Sequence, residues 1–419
     1  IQDYGPKDND QPDAHPQPRH SYYDPRSSRM KNVGLITNTN PLLLERTLGS
    51  ADSLAENIDK AMGGNTGNIG FIHGTSKLLG DKVHRIGWGD KPESIKRHID
   101  HIVICCANQI GEHVDLGAWA KTLEEYDRPV TLVGLGAQAN SKDDFPEIPN
   151  GTKEFLDVVS RKKASKASNI LVRGNYTQSV LEMVGYESIP AGCPSLLISD
   201  IPLLGREIVK YSQTYPPSRI AIAAGNPWHS TSASLEQKLV SIVNERRGEY
   251  IIQHPLAMLK FAMGESDMID EGTRSRFCQV YASIIEPSKL ARWFLQNSIA
   301  FTDAQTWMSF LRKFDLTIGP RYHGIALALQ SGRPGMVITI DSRTQELCES
   351  TGVKHMPLQD AMSLSVSELI KRAAWSDADG TSFDQARTAQ ARRFSVAFRD
   401  NGLCPSAHAI AHLGWNEDS

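Results

Sequence analysis

Arg321 and His323 stand two positions apart, directly after a Gly319-Pro320 break, and Arg343 closes the apolar segment that follows. Guanidinium groups pair with carboxylates and phosphates through two N–H bonds at once. An imidazole can gain or lose a proton near neutrality. Together these groups suit an anionic substrate that has to be held while protons move. A single Arg or His at such a place would more simply cap a helix or satisfy a nearby carbonyl. Three on one rim point instead to a ligand site. Arg173-Gly174-Asn175-Tyr176-Thr177 has the same form, an arginine between an apolar run and a helix start. Arg173 is therefore expected to face Arg321 across a cleft, as a second clamp on the anion.

Other candidates carry less. Gly63 to Gly70 supplies glycine-rich backbone before a helix. Asn65, Thr66, Gly67 and Asn68 could there receive an oxyanion or a sugar hydroxyl, or form a turn with an Asn cap. No Gly-Lys-[Ser/Thr] follows, so it is not a P-loop. Gly134-Leu135-Gly136-Ala137-Gln138-Ala139 matches a dinucleotide fingerprint in spacing only. No helix pattern follows it, and no acidic residue ends a strand about 20 positions on. His254 before Pro255 reads as a turn histidine. Asp303 reads as a helix cap with a possible share in acid–base work.

The elements that must position these groups alternate along the chain. Strand patterns begin at Val33, His101, Pro129 and Asn169, with helical patterns over 65–79, 115–126, 155–167 and 175–184. After a Pro-bearing connection over 200–217, strands are expected at 218–224, 250–254, 299–303, 316–318 and 336–340. The intervening helices fall at 234–245, 290–296, 305–314 and 324–330, and a last helix at 385–401. Strand, helix, strand in that order implies parallel pairing, and ligands of open parallel sheets bind beyond the strands' carboxyl ends. Arg173, Arg321, His323 and Arg343 all fall at such ends. The expected architecture is α/β, with two Rossmann-like domains, 31–205 and 206–384, in a glycosyltransferase-B-like arrangement with an inter-domain cleft. Residues 1–30, poor in aliphatics, read as a flexible arm whose His15 and His20 are solvated, and 385–419 as a helical closing segment.

Composition narrows the function classes. The 419 residues, 40% hydrophobic and 22% charged, are those of an ordinary globular protein of roughly two or three domains. A net charge of −3 gives no basic surface for nucleic acid. No apolar run approaches the ~20 residues of a bilayer span. The six cysteines form no Cys-x-x-Cys pair, so no structural zinc and no other metal is expected, and the natural compartment is the cytoplasm.

Taken in order, the motifs resemble the polysaccharide pyruvyl transferase family. The correspondence runs from Gly64-Asn65-Thr66-Gly67-Asn68 through Val133 to Gln138, Val172-Arg173-Gly174, Gly192-Cys193-Pro194-Ser195 and Trp307, to Gly319 through Gly324 and Asp341-Ser342-Arg343. The resemblance implies a glycosyltransferase-B-like fold and transfer of a pyruvyl group from phosphoenolpyruvate to a saccharide. A pyruvate ketal forms, phosphate is released, and no cofactor takes part. It implies that Arg173 and Arg321 hold the donor's phosphate and carboxylate, that Arg343 adds a third contact, and that His323 transfers protons or stabilises phosphate. The expected partners are phosphoenolpyruvate and a glycan acceptor, free or lipid-linked, with the inner membrane face as the alternative location. A nucleotide-sugar glycosyltransferase and a non-catalytic saccharide-binding protein are the alternatives on the same layout.

Overall fold

The computed structural model describes residues 30–47, 53–138, 144–228 and 230–412. The expected arm, with His15 and His20, lies outside the described residues except for Met30. The first half holds six strands: β1 (Asn32–Ile36), β2 (Lys82–Ile86), β3 (His101–Cys105), β4 (Val130–Leu135), β5 (Ile170–Val172) and β6 (Ile189–Pro190). They lie in the order β2-β1-β3-β4-β5-β6, every pair parallel. The second half holds β7 (Ile220–Ala223), β8 (Glu249–Ile251), β9 (Ser298–Ile299), β10 (Leu316–Gly319), β11 (Gly335–Thr339) and β12 (His355–Pro357). Their order is β12-β11-β10-β7-β8-β9, again wholly parallel.

The apolar runs at β3, β4, β7, β10 and β11 are buried along their whole length, as strands covered by helices on both faces must be. Edge strand β2, Lys-Val-His-Arg-Ile, is exposed or half-buried along its length, so its sequence carries no apolar run. The two helix-covered sheets and the cleft between them form the expected glycosyltransferase-B-like arrangement of two Rossmann-like units.

Two departures bear on how the halves are held. The stretch read as a connection contains a helix, Leu204–Thr214, whose Gly205 N–H donates to Asp384 Oδ1 at 2.7 Å. The last long helix begins earlier than expected and spans Asp377–Asp400. It packs on the first half, where fully buried Arg387 donates to the carbonyls of Leu196 (3.0 Å), Ile201 (3.1 Å), Pro202 (3.2 Å) and Ser199 (3.2 Å). The aromatic side chains Phe383, Phe394 and Phe398 join the same apolar cluster as Val33, Phe71, Tyr322 and Ile325. The two halves therefore share a core.

Candidate active site

Arg173 follows β5 directly and is only 3% exposed. Its Nε donates to the carbonyl of Gly134 at 2.9 Å, and its Nη1 to Asn108 Oδ1. That carbonyl is available because β4 carries an irregularity between Val133 and Leu135, with Gly134 at φ +79°, a left-handed backbone that glycine adopts without strain. A Cβ at Gly136 would lie 3.0 Å from Arg173 Cδ. The two glycines of the apparent dinucleotide fingerprint thus seat an arginine.

Arg321 lies between β10 and the helix Tyr322–Gln330, and His323 lies in the first turn of that helix. Arg343 lies in the first turn of the next helix, Ser342–Thr351, with its Nη2 3.1 Å from Asp341 Oδ2. All four side chains line one cavity of about 80 Å³ between the halves, with Asn65, Asn68, Asn108 and Gln253. Arg173 and Arg321 therefore approach from opposite sheets, as their places after β5 and β10 required.

Burial governs the charges here. It draws His323 down to about 3, and the Arg173 and Arg343 guanidiniums push in the same direction. The imidazole is therefore neutral at neutral pH. Burial, with Arg343 beside it, also lowers Arg321 to about 10, still fully cationic. Behind Arg321, Glu236 is fully buried and accepts from Gly225 N (3.0 Å) and from the Tyr250 hydroxyl. Burial raises it to about 7. The cavity is thus lined by three guanidiniums; of the carboxylates near them, Glu236 is engaged by Gly225 and Tyr250, while Asp341 pairs with Arg343 and accepts from Thr344 N at 2.8 Å. Such a surface favours a small polyanion.

Cys193 Sγ lies 3.7 Å from His323 Nε2 and 3.1 Å from Ser195 Oγ. Burial raises its thiol above the ordinary range, so it stands protonated against the imidazole. The Gly192-Cys193-Pro194-Ser195 turn thus reaches the site from the first half. Phe71 underlies both halves' contributions, with its ring centroid 5.9 Å from the Arg173 guanidinium and 5.4 Å from that of His323.

The Asn65 to Asn68 loop is only partly as expected. Asn65 and Asn68 line the cavity. Thr66 is fully buried and bonded to the other half, its N–H to Gln253 O (3.1 Å) and its hydroxyl to Ile252 O (3.4 Å). The Gly67 N–H donates to Asn65 Oδ1 at 2.8 Å. Two of the four residues therefore build the loop and join the halves, and contribute no lining to the cavity.

His254 Nδ1 lies 3.1 Å from Gly64 O, a turn role at the same junction. Asp303 caps its helix by accepting from Thr306 N at 2.7 Å, which is the structural of its two expected roles. Buried Trp307 stacks on Phe301 at 5.3 Å. Asn108 and Gln253 carried no sequence signal, being neutral amides on loops. Among the described residues no group of three or more His, Cys, Asp and Glu side chains could hold a metal ion.

A family model described as polysaccharide pyruvyl transferase matches residues 15–342. No curated protein matches. Solved structures that align include a protein assigned as a UDP-N-acetylglucosamine 2-epimerase from Listeria monocytogenes, 13% identical over 88% of this chain and 97% of that one, TM-score 0.44. A UDP-GlcNAc 2-epimerase from Neisseria meningitidis is 10% identical over 85% and 97%, TM-score 0.42. The glycosyltransferase SnogD from Streptomyces nogalater is 13% identical over 88% and 99%, TM-score 0.34.

Proposed function

This chain belongs to the polysaccharide pyruvyl transferase family, and we propose that it takes the pyruvyl group from phosphoenolpyruvate and forms a ketal on a sugar of a cell-surface glycan or its precursor. The observation that carries the donor assignment is the convergence of Arg173, Arg321 and Arg343, from two halves, on one narrow cavity that also holds His323. A three-carbon polyanion with a carboxylate at one end and a phosphate at the other matches that set in charge. Guanidinium forks can engage both ends.

The ketal reaction needs three events. The enol methylene gains a proton, a sugar hydroxyl attacks the resulting oxocarbenium-like carbon, and phosphate leaves as a second hydroxyl closes the ketal. Of the two hydroxyl protons released, one ends on the new methyl group and one on phosphate. His323 is the proton carrier in this scheme. It is neutral at neutral pH, so it can accept a hydroxyl proton. The donor's negative charge offsets the neighbouring arginines and raises its basicity as the complex forms. Half-buried Asn65 at the cavity wall suits a hydroxyl of the acceptor, while buried Asn68 gives its amide N–H to Met62 O at 2.9 Å and braces the loop.

The test is phosphate release from phosphoenolpyruvate in the presence of galactose-, glucose- and mannose-type acceptors, with the product examined for an acid-labile pyruvate. No donor consumption with any acceptor, together with no binding of phosphoenolpyruvate in calorimetry, would count against the proposal.

A further inference from the structure

Among the described residues lining the cavity, two buried nitrogens have no hydrogen-bond partner, Arg321 Nε and Gln253 Nε2. The first belongs to the cationic set already described. The second belongs to a neutral side chain that is 1% exposed, on the loop leaving β8. A buried N–H donor is normally paired, and an unpaired one beside a ligand cavity marks where a ligand oxygen would sit.

The amide is also held in place. A Cβ at Gly67 would lie 2.3 Å from Gln253 Oε1, and one at Gly324 would lie 2.9 Å from Nε2. The carboxamide is therefore fitted between a glycine of each half, and any other residue at either position would strike it. Its backbone is fixed as well, since Gln253 O accepts the Thr66 N–H from the opposite half at 3.1 Å.

We infer that Gln253 binds the small anionic donor directly, giving its Nε2–H to one of the donor's oxygens. The inference rests on the donor reading above. Depth selects the ligand, since a side chain this buried in a cavity of about 80 Å³ is reached by the small donor, while a saccharide stays at the mouth. Chemistry selects the residue type. The three guanidiniums already supply positive charge, and an amide adds a directional bond without more of it. Gln253 is thus a substrate-binding residue contributed by the junction between the halves.

The experiment is calorimetric titration of phosphoenolpyruvate and, separately, inorganic phosphate into the full chain and into Gln253→Met and Gln253→Glu. Both substitutions keep the side chain's length, and should one fail to fold, shown by its thermal melt without ligand, the other carries the test. Gln253→Met is expected to weaken phosphoenolpyruvate binding on the order of 10–100-fold. Gln253→Glu, which sets a carboxylate against the anion, is expected to weaken it further. Variants that fold and bind within about twofold of the wild type would overturn the inference. If the wild type binds phosphate in a Gln253-dependent way but not phosphoenolpyruvate, the anion contact stands and the donor reading falls. If it binds neither, both fall.

Discussion

Cys193 Sγ of the first half sits 3.7 Å from His323 Nε2 of the second. The thiol belongs to a turn fixed by Gln390, whose Oε1 accepts the Cys193 N–H at 3.1 Å, and Gln390 lies on the long C-terminal helix. The imidazole is therefore oriented by a chain of contacts that runs through three separate parts of the sequence. Cys193→Ala should lower kcat by about 3- to 10-fold through a looser imidazole, a thiol–imidazole contact being a weak bond. Its phosphoenolpyruvate affinity should stay within about twofold. A variant with unchanged kcat would show that Cys193 only packs.

His323→Gln keeps the size and polarity of the side chain but cannot carry a proton. The rate of phosphate release should fall by about 10²–10⁴-fold, with donor affinity changed by only a few-fold. An equal loss in binding and rate would assign His323 to holding the anion.

Arg321→Lys keeps the charge and loses the fork. Phosphoenolpyruvate binding is expected to weaken by about 10-fold, and Arg321→Met by about 100-fold or more. Calorimetry reads both. A lysine variant that binds like the wild type would mean that a point charge suffices at this position.

Protonation gives a prediction with a definite sign. Folding holds His323 near 3, against 6.5 for the free side chain, chiefly through burial. Between those values the unfolded chain binds a proton there that the folded chain does not, so stability is lost as pH falls through that window. His323→Gln should therefore lose less stability than the wild type between pH 6.5 and about 3 in urea unfolding. Donor binding should reverse part of the shift. Calorimetry within that window, run in buffers of different ionisation enthalpy, should show more proton uptake on donor binding in the wild type than in the variant.

Arg387→Met tests the join between the closing helix and the first half. The four carbonyls that accept from the guanidinium would lose their partner in a buried place. The expected cost is about 3 kcal/mol or more in urea unfolding. A loss within about 0.5 kcal/mol would mean that those carbonyls find other partners.

The strand ends were the legible part of this site. Arg173 follows an apolar run directly, Arg321 and His323 follow one and its Gly319-Pro320 break, and a parallel sheet places such residues at one rim. The buried runs at β3, β4, β10 and β11 announced themselves for the same reason. Edge strand β2 did not, because its residues remain open to solvent. Gln253 and Asn108 were invisible because their meaning depends on contacts far along the chain. Asn108 Oδ1 accepts from Arg173, and Gln253 meets Thr66 and Gly324. In the loop over 65–68, the sequence pattern could not divide the residues that line the cavity from those that join the halves. That division follows only from the approach of Ile252 and Gln253.

Pyruvyl transfer from phosphoenolpyruvate at the Arg173–Arg321–His323 cavity is the chemistry on which these outcomes depend. Its most direct test is mass spectrometry of a glycan acceptor incubated with phosphoenolpyruvate, paired with phosphate release in the same reaction. The expected result is one ketal-linked pyruvate per phosphate released with the wild type, and neither product with His323→Gln on the same timescale. Turnover of a UDP- or GDP-sugar in place of phosphoenolpyruvate, or full ketal formation by the His323→Gln variant, would contradict it.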